Sequence, residues 1–121
     1  MELEINSKEP IYIQIKDYIK TKIVSGELNG GDRLLSVREY ASELKVNPNT
    51  ISRVYSELES ENLIVTKRGI GKFVTESMPD IEELKNQYSR KLISDFIKKT
   101  RTIGLDKNQI IKLLNEMYKE E

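Results

Sequence analysis

A chain of 121 residues is long enough for one compact domain plus an appendage and too short for two ordinary domains with independent cores. Its 20 basic and 20 acidic residues cancel, so affinity for a polyanion has to come from where charge is placed and not from its sum. With no cysteine and no histidine, disulfides, thiolate chemistry, the usual transition-metal ligands and every Ser-His or Cys-His nucleophile are excluded, and no metal, cofactor or enzymatic activity is expected.

The start, Met1-Glu-Leu-Glu-Ile5, is acidic, with no basic segment followed by an apolar one, and no apolar run reaches membrane-spanning length. A soluble, cytoplasmic protein with no membrane partner is expected. Pro10 suits a first helical turn. Ile11, Ile15, Tyr18 with Ile19, and Ile23 follow at spacings of three and four, which predicts an amphipathic helix stopped by Gly26. Lys16, Lys20 and Lys22 fall on its other face and read as solvated. Asn29-Gly-Gly-Asp32 is a turn by composition, and Arg33-Leu-Leu35 reads as a short extended segment after it. Ser36 followed by Glu39 is a capping box, with Val37, Tyr40, Ala41 and Leu44 as the buried stripe of a short second helix. Ser36 and Arg38 therefore sit at an exposed helix start, whose free N–H groups and positive dipole suit a phosphate. Ser36 caps in either case, and Arg38 fits a base or a phosphate contact.

After a tight turn at Lys45-Val46, Asn47 is a good N-cap and Pro48 fits the first helical position. Ile51, Val54, Tyr55 and Leu58 point inward at helical spacing, leaving Asn49, Thr50, Ser52 and Arg53 near the exposed first turns. A recognition helix presents such side chains to base edges and phosphates. A polar helix start is by itself usually capping chemistry, but directly behind a short capped helix it predicts a helix-turn-helix. Leu63-Ile-Val-Thr66 and Lys72-Phe-Val-Thr75 are two β-branched apolar runs, and Arg68-Gly-Ile-Gly71 can turn between them to make a hairpin. Residues 62–75 hold Lys67, Arg68 and Lys72 and no acid, so the hairpin is the local positive site. A nucleotide-loop reading of its glycines fails, because no helix follows and no Gly-Lys-Ser/Thr occurs.

Glu76-Ser-Met-Pro-Asp80 breaks the pattern and reads as a linker, with Asp80 and Glu83 as the next capping pair. Ile81, Leu84, Tyr88, Leu92 and Phe96, widened by Ile93 and Ile97, recur at helical spacing as far as Arg101. Gly104 separates a last helix, capped by Asp106, with Ile110, Ile111, Leu113, Leu114, Met117 and Tyr118 apolar. Two helices of roughly forty residues cannot bury two such faces alone. The partner is either the winged domain of the same chain or a second copy, and a homodimer through Ile81, Leu84, Tyr88, Leu92, Phe96, Ile110, Leu113, Leu114 and Met117 is expected over docking within the chain. Tyr88, Phe96 and Tyr118 could instead line a small pocket between tail and hairpin domain, although such aromatics more often serve as core or interface. The adjacent acids Glu82 and Glu83 do not converge on a helix and are explained by the helix dipole. The fold class is thus mainly α with a small β-hairpin: a winged helix-turn-helix over residues 1–76, then a two-helix dimerisation tail over residues 77–121. The alternative to DNA binding is a winged-helix adaptor for another protein.

Pro10-Ile-Tyr-Ile-Gln-Ile15, Ser25-Gly26, Gly31-Asp-Arg-Leu34, Ser36-Val-Arg-Glu39, Val46-Asn-Pro-Asn-Thr50, Tyr55, Leu58-Glu59, Lys67-Arg-Gly-Ile-Gly71 and Phe73-Val74 together resemble the N-terminal winged helix-turn-helix of the GntR family. The resemblance implies a bacterial transcription regulator, usually a repressor, that binds a palindromic double-stranded DNA operator as a dimer. By position, Arg38, Asn47, Asn49, Thr50 and Ser52 match the family's DNA-contact positions, Arg68 with Gly69 matches the wing tip inserted in the minor groove, and Ser36 matches the helix-start serine. One departure is Leu35, where the family usually has proline: it stays hydrophobic but gives up rigidity before the helix. Most members carry a large ligand-binding or aminotransferase-like domain, for which this chain is expected to be too short. Its tail resembles the YtrA subfamily, whose members often control ABC transporter operons. No effector follows from these residues.

Overall fold

The structure, a computed structural model, describes residues 3–118; Met1 and Glu2 of the acidic start and the last three residues of the expected tail lie outside the described residues. In chain order it contains α1 (Ile11–Ser25), α2 (Val37–Leu44), α3 (Pro48–Ser60), β1 (Ile64–Lys67), β2 (Gly71–Val74), α4 (Met78–Thr102) and α5 (Lys107–Met117). The chain divides after Lys85 into two compact units.

In the first unit, local chemistry sets the helix ends. Pro10 stands just before α1, its carbonyl accepting from the N–H groups of Ile13 and Gln14, and Gly26 closes the helix in the left-handed region at φ 83°, where a Cβ would be strained. Ile15, Ile19 and Ile23 of α1, Ile51, Val54, Tyr55 and Leu58 of α3, and Ile64 and Val74 of the hairpin are at most 2% exposed and form the core. Gln14, buried among them, accepts from the Asn6 N–H at 2.9 Å and donates to the carbonyls of Asn6 and Glu9, which ties down the segment before α1. β1 and β2 pair antiparallel from Ile64 with Val74 to Lys67 with Gly71. The segment after the turn joins that edge: Gly31 N–H donates to Val74 O, Val74 N–H to Asp32 O, and Leu34 N–H to Lys72 O.

Three expectations are corrected here. Lys16 and Lys20 are not a solvated face: Lys16 bridges Glu57, at 3.0 Å, and Glu61, while Lys20 pairs with Glu61 at 2.7 Å, so they fasten α1 to α3. Ser77, and not Asp80, begins α4, accepting from the Asp80 N–H through its carbonyl at 3.1 Å, because Pro79 is at home in a first turn and the helix starts as soon as it can. Leu84 is 4% exposed within the first unit; its side chain is core there and is unavailable to a second copy.

The second unit holds the later turns of α4 together with α5. Gly104, at φ 76°, makes the turn, and Asp106 caps α5 through a capping box with Gln109, at 2.8 and 2.9 Å. Its apolar side chains remain open: Leu92 is 70% exposed, Phe96 44%, Leu114 40% and Met117 73%.

Candidate nucleic-acid interface

The start of α2 is built as its sequence dictates. Glu39 N–H donates to Ser36 Oγ at 3.1 Å and Ser36 N–H to a Glu39 carboxylate oxygen at 3.0 Å. These hydrogen bonds, the backbone one foremost, hold the Glu39 carboxyl below its ordinary value, so the box stays closed at neutral pH. Arg38 projects, exposed, from the first turn. Lys45 ends α2 in the left-handed region at φ 58° and returns its N–H to Ala41 and Ser42, which produces the sharp turn into α3.

At the start of α3, Asn47 Oδ1 accepts from the Asn49 N–H at 2.8 Å, so its oxygen is committed to capping. Ile51 and Val54 at 0% exposure fix the phase of the helix. That phase leaves Asn49, Ser52 and Arg53 exposed and Thr50 half-buried. Arg53 is also held by its own chain: its Nε donates to Glu57 at 3.1 Å and its guanidinium lies 3.5 Å above the Tyr12 ring of α1, a cation–π contact. Hydrogen bonds from Lys16 and then Arg53 hold the Glu57 carboxyl below its ordinary range. Burial opposes the charge on Lys16, but its bonds to Glu61 and Glu57 outweigh it and its pKa is raised.

Tyr55 answers the departure at Leu35. Its hydroxyl, 1% exposed with the rest of the residue, donates to the Leu35 carbonyl at 2.7 Å, restraining from α3 a backbone that a proline would have stiffened. Burial pushes the hydroxyls of Tyr55 and Tyr40 well above the usual range, so both remain protonated. The two rings stack at 6.3 Å.

In the hairpin, Ile70 N–H closes the tip on Lys67 O at 2.9 Å, with Gly69 at φ 78°. Two of its three cations are occupied: Lys67 lies 4.7 Å over the Phe73 ring, and Lys72 donates to Thr66 at 2.8 Å, whose hydroxyl in turn bonds Glu59. Arg68 projects from the tip with no such tie among the described residues. Ser36, Arg38, Asn47, Asn49, Thr50, Ser52, Arg53, Lys67, Arg68 and Gly69 thus all belong to the first unit. A groove of about 350 Å³ lies between the α2 start and the hairpin, lined by Ser36, Lys67, Gly69 and Lys72 among others. Sequence reasoning missed Arg33, whose Nη2 donates to the Ile70 carbonyl at 2.9 Å; its partner stands 37 positions along the chain, beyond any local signal.

In the second unit, a cavity of about 730 Å³ between α4 and α5 is lined by Phe96, Ile97, Ile110, Leu114 and Tyr118 among others. Tyr88 does not line it. Among the described residues, no helix is long and apolar enough to cross a membrane.

Residues 11–74 match the bacterial regulatory proteins of the gntR family. The chain is 42% identical over 112 residues to the HTH-type transcriptional regulator YhcF of Bacillus subtilis (strain 168), covering 93% of each. It is 42% identical over 77 residues to the HTH-type transcriptional repressor YtrA of the same organism, covering 64% of this chain and 59% of that protein. A solved GntR family transcriptional regulator from Listeria monocytogenes superposes with a TM-score of 0.85 at 44% identity, over 94% of this chain and all of that one. With its helix-turn-helix, its hairpin wing and these relatives, the chain belongs to the GntR family and is a non-enzymatic, DNA-binding transcription regulator.

Proposed function

We propose that this regulator is a repressor that works in the cytoplasm as a homodimer on a palindromic operator. The observation that carries the reading is the arrangement of exposed groups on one unit: Arg38 beside a capped helix start, Asn49 and Ser52 on the open first turns of α3, and the untied Arg68 at the wing tip. Asparagine reads adenine with two hydrogen bonds in the major groove, and arginine suits guanine, phosphate or a narrow minor groove. Arg68 and Gly69 enter the minor groove, Arg38, Asn49, Thr50 and Ser52 meet the major groove and its phosphates, and Asn47 contributes through the amide nitrogen left over from capping. Lys67 and Arg53 supply backbone attraction from their packed positions.

A second copy supports the other half of the reading. Leu92, Phe96, Leu113, Leu114 and Met117 are each at least 40% exposed, and exposed large apolar side chains gathered on two helices mark an interaction surface. Ile110 is half-buried beside them. Covering these side chains with a symmetry-related copy brings two recognition helices to two half-sites. Tyr88 belongs to the same unit as these side chains and is half-buried, and Ile81 comes earlier on α4, in the first unit. Control of an ABC transporter operon extends the reading through the likeness to the YtrA subfamily, and no effector is assigned.

The test is a pair of variants on a selected operator duplex and on random duplex. Asn49→Ala is expected to cost about 1 to 3 kcal/mol on the operator and little on random DNA, whereas Arg68→Ala weakens both and lowers the salt slope by about 1. Equal losses for Asn49→Ala on the two duplexes would assign it to the backbone and remove it from sequence readout.

A further inference from the structure

A two-stranded hairpin with four-residue strands is marginal by itself, and the turn at its tip is closed by the backbone hydrogen bond from Ile70 N–H to Lys67 O. Arg33 supplies what that tip lacks. Its backbone bridges antiparallel to Phe73 of β2, and its Nη2 donates to the Ile70 carbonyl at 2.9 Å. Gly71, at φ 148°, makes room for it: a Cβ there would stand 3.1 Å from Arg33 Nε. Arg33 also lines, together with Ser36 and Val37, the groove between the hairpin and the start of α2, and its charge adds to the bonds that keep the Glu39 carboxyl of the capping box ionised. One side chain thus braces the wing tip and faces the helix start that carries Ser36 and Arg38.

The geometry points to Arg33 as the positioning residue of the wing: by holding the Ile70 carbonyl it fixes where Arg68 and Gly69 stand relative to Arg38, without contacting DNA itself. This inference rests on the DNA-reading surface proposed above. An arginine suits the role, because its planar fork turns the edge carrying Nε and Nη2 toward Gly71 while Nη2 reaches the carbonyl, and a lysine ammonium keeps the charge without that shape.

The experiment measures binding of the full chain to a duplex selected from random sequence, across a salt series, for Arg33→Ala, Arg33→Lys, Arg68→Ala and the double variant Arg33→Ala/Arg68→Ala. Amide hydrogen exchange at Ile70 is followed in the free protein. Arg33→Ala is expected to weaken binding about two- to five-fold and to flatten the salt slope toward that of Arg68→Ala, with the double variant no more than about two-fold weaker than Arg68→Ala alone, because coupled neighbours are not additive. Arg33→Lys should leave both the loss and a faster Ile70 exchange in place. Additive losses, or a lysine that restores binding while Ile70 still exchanges fast, would overturn the inference and make Arg33 a phosphate contact. Should the wild-type chain select no duplex, the DNA-reading surface falls, while Ile70 exchange that Arg33→Lys leaves unchanged would by itself refute the brace.

Discussion

Removing one oxygen atom tests how α3 holds the start of α2. In Tyr55→Phe the ring stays in the core and keeps its stacking on Tyr40 at 6.3 Å, so almost no cavity opens and the perturbation is confined to the 2.7 Å bond to the Leu35 carbonyl. A hydrogen bond of this kind contributes about 0.5 to 1.5 kcal/mol net, and a buried partner left unsatisfied costs about 1 to 3 kcal/mol. The bond is only part-buried, so the lower range applies. The expected cost is about 1 kcal/mol, which lowers the midpoint of thermal unfolding by about 4 to 8 °C for a domain of this size. The assay is a circular-dichroism melt with a urea titration beside it, in which the slope should match wild type while the midpoint falls. Operator affinity should also drop, because Ser36 and Arg38 follow directly on the released backbone. An unchanged melting midpoint would refute the claim that Tyr55 restrains Leu35, and a loss above about 3 kcal/mol would mean that the core itself had rearranged.

The remaining predictions concern the cap, the ion pairs and the tail. Ser36→Ala should cost about 1 kcal/mol and Ser36→Gly less, and equal stability of Ser36→Ala and wild type in a urea titration would show that the capping box contributes nothing. On acidification, stability should hold above the ordinary carboxylate value of 4.5 and fall below it. The folded pKa values of Glu57 and Glu61 are depressed, for Glu61 against the opposing effect of burial through its bonds to Lys16 and Lys20, so their contribution is present above the unfolded value and lost as pH drops through the folded one. Glu57→Gln should flatten that acid limb, and stability that rises as pH falls through 4.5 would contradict the sign. Leu114→Asp should give a monomer in sedimentation at concentrations where wild type is dimeric, with the melting of the first unit unchanged. A dimer that persists would exclude this face as the interface.

What was legible in the sequence was local. The Ser36–Glu39 box, the Asp106 and Asn47 caps and the left-handed stop at Gly26 each act within a few residues, so type and spacing suffice to find them. The buried phase of α3 was readable for a similar reason, since four apolar residues at helical spacing leave one solution. What escaped lies between elements. Lys16 finds Glu57 41 positions away, Tyr55 reaches back 20 to Leu35, and Arg33 crosses 37 to Ile70, and no periodicity encodes such pairings. Leu84 shows the same limit: its spacing fits the tail stripe, yet the first turns of α4 bury it with the first unit. Lysines on a helix face give no sign in one sequence of whether a glutamate from another helix will meet them, and α1 shows that here they do.

The most direct test of a dimeric operator reader is selection of binding sites from random duplex DNA by the purified full chain, followed by a salt titration on the winning sequence. The account predicts an inverted repeat with half-sites about one helical turn apart, two chains per duplex, and log K falling with log salt at a slope near −0.9 for each phosphate neutralised. No enriched sequence, with weak binding that does not change with salt, would contradict it and would assign the winged unit to contact with another protein.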